Sequence, residues 1–191
     1  MLKTAFGTPR GMEMGNNSAN VLAVVCVTAF IVVIAAVVMW FGTLSGLKRD
    51  DRESGMAEVR MFRALERRYA TVGEAVAEGK KAFGSFFSAG MPYDSVRAPA
   101  EHMPVSAMRE VSNALDAAEK AMAEDIKIGV TNAELAQKAN ACGEIDVAFF
   151  SACESYDAVA LALNSRLSSF VGRMVSKGKG YQRREIFSIS H

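Results

Sequence analysis

The stretch YDAVALALNSRLSSF (residues 156–170) places Tyr156, Leu163 and Phe170 seven residues apart, with Asp157 and Asn164 directly behind the first two. A seven-residue repeat of apolar side chains marks one face of a helix that packs on another helix. Extended backwards, the row takes in Leu135, Cys142 and Phe149, and a companion row runs through Ala139, Asp146, Cys153, Ala160, Leu167 and Met174. The run TNAE (residues 131–134) has the Thr-x-x-Glu spacing of a capping box, so a helix is predicted to start there. It runs to about Ser176, and Gly178 and Gly180 end it.

Two more helices of the same kind precede it. Phe62, Leu65, Tyr69, Val72, Val76, Gly79, Phe83 and Phe86 step by three and four. Met108, Val111, Leu115, Ala118 and Met122 do the same after Pro104, which suits a first helical turn. Between them, residues 88–103 hold Gly90, Pro92 and Pro99 and read as a connection. Narrow apolar stripes on long helices bury against one another. The fold class expected is therefore all-α, with residues 48–176 forming an antiparallel bundle of three long helices. In that up-down-up order, the basic tail at residues 177–191 lies far from the start of the first helix.

Upstream stands VLAVVCVTAFIVVIAAVVMWFG (residues 21–42), with no charge between Glu13 and Lys48. At about 1.5 Å per residue it reaches roughly 33 Å, enough for the ~30 Å hydrocarbon core of a bilayer. Trp40 and Phe41 stand where aromatics meet headgroups. The block is too long for the core of a cleaved signal peptide and lacks a small-residue cleavage site, so it reads as an uncleaved anchor over residues 21–43. Residues 1–20 are a short tail before it. Lys3 and Arg10 precede the anchor, whereas Lys48, Arg49, Arg52 and Arg60 follow it. A start at Met12 or Met14 would remove the first two. The balance puts the long C-terminal part on the cytoplasmic side. Gly42 and Gly46 are candidate kinks, but no strong stop separates the anchor from the first bundle helix.

Motifs of chemistry are sparse. His102 and His191 stand outside any helical constellation, and no H-E-x-x-H or E-x-x-H occurs. GRMVSKGKG (residues 172–180) has the wrong spacing for a phosphate loop, and no Ser or Thr follows Lys179. No cofactor or metal is implied. Cys142 and Cys153, about 16 Å apart along one straight helix, cannot pair within it, and free thiols suit a reducing compartment. Asp146 occupies an apolar row and calls for an arginine from the first bundle helix, such as Arg67. From Arg166 to Arg184 the chain carries six basic residues and no acid. Lys177, Lys179, Arg183 and Arg184 are candidate contacts for a partner or an anion. Nucleic acid is disfavoured, since Tyr181 is the one aromatic among the basic residues 177–184.

The opening stretch resembles the C-terminal signature of the LemA family, roughly Y-N-x-x-V-x-x-[YF]-N-x-x-[IL]-x-x-[FW]-P. Tyr156-Asp157, Leu163-Asn164, Leu167 and Phe170-Val171 stand at its positions, with Ala160 for the Val. The family's closing G-F…Y-F is matched by Gly180-Tyr181 and Ile186-Phe187. Its L-x-R-R-x-x-L-I-P-N-L-V resembles residues 65–76, with Leu65, Arg67, Arg68 and Val76 in place. Phe41-Gly42-Thr43-Leu44 stands at the F/Y-N-x-L after the family's membrane helix. Gly73 and Val171 replace the two prolines, and Asp157 replaces an Asn, so the likeness is to a divergent member. MamQ-type proteins of magnetosome membranes are similar in kind. The resemblance implies a membrane-tethered helical bundle with its N-terminus outside and no agreed enzymatic activity. A non-enzymatic scaffold or interaction module at the bacterial inner membrane is the leading expectation, with a protein partner or self-association through the bundle. Envelope signalling, membrane remodelling, or an enzyme with polar residues inside the bundle are the alternatives.

Overall fold

The computed structural model describes residues 14–188, with side chains from residue 20. The expected tail at residues 1–20 falls outside the described residues up to position 13, as does His191; from Met14 the chain is already helical. The elements are α1 (Met14–Phe83), a 3₁₀ turn (Gly84–Phe86), α2 (Gly90–Asp94), α3 (Val105–Lys127), α4 (Ala133–Ser168) and α5 (Phe170–Lys179). Among the described residues there is no strand.

α1 is one helix of 70 residues, about 105 Å long at 1.5 Å per residue. Neither Gly42 nor Gly46 interrupts it. Its apolar block stands bare: the large side chains from Val21 to Phe41 are all exposed. By length and composition this part of α1 could cross a membrane. Beyond Gly42 the same helix turns amphipathic and becomes one wall of the packed body.

The stripes are buried largely as their periodicity predicts. Leu65, Val72 and Val76 from α1, Met108, Val111, Leu115, Ala118 and Met122 from α3, and Leu135, Cys142, Phe149, Cys153, Tyr156 and Ala160 from α4 share one core. A second cluster joins Leu47 of α1 to Leu163 and Leu167 of α4 and Val175 of α5, with Leu44 and Tyr181 at its edge.

The direction of α3 differs from the expected up-down-up order. Arg68 of α1 bonds Ser112, Asp116 and Glu119 of α3, and Ser88, just past α1, bonds Asp125 near the end of α3. Residue numbers therefore rise together, and α3 runs parallel to α1. The return journey is made by the connection. Tyr93 stacks on Tyr69 with ring centroids 4.9 Å apart, and farther along Glu101, His102 and Met103 lie beside Glu58 and Phe62. Then α4 runs antiparallel to α1, from the Lys138–Glu74 pair to the Arg166–Asp50 pair. So α4 descends towards the apolar block, and the C-terminal tail lies beside its exit rather than far from it.

Two boundaries also move. The cap of α4 is Asn132, one residue after the Thr expected: its side chain accepts from Leu135 N at 2.7 Å. And α4 stops at Ser168. Ser169 is extended (φ −65°, ψ 156°) and its hydroxyl accepts from Gly172 N, which starts α5. Phe170 thus leaves the buried row and is 73% exposed, and Met174 is 52% exposed. Phe86 is likewise 80% exposed, because α1 ends at Phe83.

Candidate functional site

Most buried polar chemistry converges on Arg68. A guanidinium carries five donors in a planar fork, and burying it demands acceptors on every side. Only 1% of Arg68 is exposed. Nε donates to Asp146 Oδ1 of α4, Nη1 to Ser112 Oγ at 3.0 Å, and Nη2 to Asp116 Oδ1 and to Glu119 Oε2 at 2.7 Å. Phe149 and Phe150 lie under its guanidinium carbon at 5.2 and 5.5 Å from their centroids, a cation–π arrangement. The expected partner for Asp146 is therefore found one residue on. Arg67 points to solvent instead.

The charges do not balance within the cluster: one cation faces three carboxylates. Burial lowers the proton affinity of Arg68, but Glu119, Asp116 and Asp146 together outweigh it and raise it. Glu119 takes the strain. Burial pushes its carboxyl up, Arg68 pulls it down, Asp146 pushes it up again, and it settles at about 7. Its Oε1 is buried without a hydrogen-bond partner among the described residues. Beside it a groove of about 430 Å³ is lined by Glu119, Asp146, Cys142, Asn140 and Lys127 among others. Burial first, then Glu119 and Asp146, push the Cys142 thiol up to about 11. Cys153 is pushed up to about 12, again chiefly by burial. Both are free buried thiols, protonated and unreactive at neutral pH.

A second polar system uses the opening stretch. The C-terminal segment at residues 181–188 lies against α4 with its backbone gripped by side chains. Asp157 accepts from the N–H groups of Phe187 and Ser188 at 2.6 and 2.7 Å. Asn164 donates to Arg184 O at 2.8 Å and accepts from Arg184 N at 2.9 Å. Tyr156 Oη donates to Glu185 O at 2.7 Å; burial, then Glu58, push its hydroxyl up to about 12 and keep it neutral. From α3, Arg109 donates to the carbonyls of Ile186 and Phe187. Phe187 is fully buried, edge-on to Phe149 at 5.7 Å. An extended segment outside a sheet must find partners for its amides, and these four side chains supply them. No family model, no curated protein and no solved structure matches this chain.

The residues singled out by sequence thus divide. Leu65, Val76, Tyr156 and Phe187 are core, Arg68 is the hub, and Asp157 and Asn164 are clasps. Gly180 ends α5 in a left-handed conformation (φ 74°) that favours glycine. Phe170 and Arg67 stand exposed. Arg184 is engaged by Asp51 at 3.1 Å and Glu58 at 3.0 Å, and Arg183 by Ser168 at 2.9 Å. Lys177 and Lys179 are open to solvent. Ser112, Asp116 and Arg109 are not marked out by the sequence, and Glu119 reads there only as one of several scattered carboxylates. Ser112, Asp116 and Glu119 are spaced i, i+4, i+7, a polar row beside the apolar stripe, and that spacing was the available signal. A further open groove of about 490 Å³ lies between α1 and the connection, lined by Val59, Phe62, His102, Met103 and Met108.

Proposed function

We propose that this chain is a single-pass membrane protein of LemA type, whose helical body is a scaffold or interaction module at the bacterial inner membrane. The body stands on the cytoplasmic side and has no catalytic activity of its own. One observation carries the reading: α1 passes without a break from a bare apolar block into the packed core. A continuous helix couples the body mechanically to its anchor, which suits a protein that holds a partner at a fixed height above the bilayer. The clasp adds support, because Tyr156, Asp157 and Asn164, which carry the likeness to the family, have a shared structural task. The Arg68 cluster supports a structural role too, since its cation is enclosed by its own acceptors. The groove at Val59, Phe62 and Met103 is the face offered to a protein partner or a second copy. Crosslinking and pull-down from intact membranes test the reading: a defined complex or oligomer is expected, and a lone monomer in every case would overturn it. Labelling of a cysteine placed in the tail, in intact against lysed cells, tests the side.

A second reading rests on Glu119. A carboxyl held at about 7 next to Asp146, at the edge of a groove, suits acid–base chemistry on a small ligand. In that case Glu119→Gln would abolish the protein's activity in cells while leaving its membrane level unchanged. Unchanged activity would remove this reading.

A further inference from the structure

The turn-around at the end of α4 leaves one helix with a face that the body does not use. α5 buries Gly172 against the Arg166 carbonyl, and Val175, which packs with Leu47 of α1 and Leu163 and Leu167 of α4. The opposite side exposes Phe170 and Met174, one turn apart. Arg173 and Lys177 flank them, also exposed, whereas Lys179, at the last turn, stands on the Gly172 side beside Asp51 and Arg184. Among the described residues no carboxylate pairs with Arg173 or Lys177. An exposed apolar pair bordered by unpaired cations is the pattern of a helix lying in a membrane interface.

The position of α5 agrees with its pattern. α4 arrives at the level of Leu47, and the tail leaves from the level of Leu44 and Asp51. α5 joins the two, so it closes the end of the body nearest the apolar block. Leu44 lies two residues beyond Gly42 and Leu47 five, which is about 3 and 7 Å along the helix axis. A headgroup layer is roughly 5–7 Å deep on each side. Lys48, Arg49 and Arg52 on α1 stand at the same level but are balanced by Asp50, Asp51 and Glu53, and Arg49 pairs with two of these acids, so the positive charge at this end comes from α5 itself.

We propose that α5 lies in the headgroup layer of the bilayer that α1 crosses, with Phe170 and Met174 inserted among acyl chains and Arg173 and Lys177 on anionic lipid phosphates. The proposal rests on the reading of the apolar block as an anchor. It adds a second membrane contact, which would fix the tilt and rotation of the body instead of leaving it free on a single stalk. It also commits the surface to lipid: an apolar pair inserts into acyl chains, which neither a free phosphate nor a nucleic acid offers.

The test uses the full chain in nanodiscs containing lipids brominated at a shallow acyl position, with and without phosphatidylglycerol. In one variant Trp40→Phe is combined with Phe170→Trp, so the only indole reports on α5. The parent, with Trp40 alone, reports on the anchor. Insertion predicts that brominated lipid cuts emission from the variant to roughly half, with the greater loss in anionic discs. Neutralising Arg173 and Lys177 to Gln should remove the difference between the two lipids, and Met174→Asp should abolish quenching. Quenching of the parent but not of the variant would overturn the inference and leave the anchor standing. Absence of quenching in both would overturn the two together. Equal quenching in zwitterionic and anionic discs would overturn the electrostatic part. Phe170 and Met174 are exposed, so these substitutions do not threaten the core.

Discussion

Removing the Arg68 side chain would leave Asp116, Glu119 and Asp146 facing one another without the cation between them. Breaking a buried ion pair from one side leaves uncompensated charge, and the cost is about 3–5 kcal/mol. Arg68→Ala should therefore lower the thermal midpoint of the detergent-solubilised chain more than any exposed arginine does, Arg67→Ala included. The same cluster sets a pH dependence. Glu119 has a folded proton affinity raised to about 7 from an ordinary 4.5. The folded state therefore holds this proton more tightly than the unfolded chain does. The resulting stabilisation is complete below about pH 4.5 and is lost as pH rises through about 7. Thermal midpoints measured across that window should fall as pH rises, and Glu119→Gln should flatten the part of the slope that belongs to this group. A slope unchanged by the substitution would assign the pH dependence elsewhere. Sequence exposed half of this site. Asp146 in an apolar row asks for a cation, but whether Arg67 or Arg68 answers depends on the rotation of α1 by one residue, about 100°. Spacing favours Arg68, three residues after Leu65 and four before Val72 and so at the edge of the stripe, whereas Arg67 falls on the far side of the helix.

At the level of elements, the apolar stripes were legible because packing repeats them many times along α1, α3 and α4. The break between α4 and α5 was not, because it depends on a single local competition. SRLSSFVGR (residues 165–173) is compatible with a continuing helix. Ser169 instead uses its hydroxyl to cap a new one, as short polar side chains do. The close approach of Gly172 to the Arg166 carbonyl then makes the corner tight. A Cβ added at Gly172 would sit 1.9 Å from that oxygen, so Gly172→Ala should open the α4–α5 corner and expose the Leu47 cluster. Proteolysis between residues 166 and 176 would accelerate, whereas the same change at Gly178, where nothing lies within 4 Å, should leave cleavage unaltered. The clasp is a second case. Asp157→Ala would strand the part-buried amide of Phe187 at a cost of about 1–3 kcal/mol, and leave that of the exposed Ser188 to water. Hydrogen exchange at these two amides should then speed up well before the helices loosen.

For the whole molecule, the lesson lies in the connection. Seventeen residues separate Phe87 from Val105, and an extended chain of that length spans up to about 55 Å. The 23 residues of α3 rise about 35 Å. The connection is thus long enough to travel the full length of α3 and reset its direction, and nothing in the apolar periodicity records which way it goes. Tyr93 lying on Gly73, with its hydroxyl where a Cβ would stand, shows the connection running back along α1. Reversing α3 reverses α4 in turn and brings the tail home to Asp51 and Glu58. This order is open to a chemical test. With Asp51→Cys and Arg184→Cys in one chain, a short bismaleimide should join the two sites rapidly. With Lys80→Cys and Arg184→Cys, the pairing that an up-down-up order favours, it should not. The native thiols compete little, because Cys142 and Cys153 are buried and their proton affinities are pushed up to about 11 and about 12, while Cys26 lies within the apolar block. Linkage of the second pair at the rate of the first would return the tail to the far end of the body and overturn the placement of α5 proposed above.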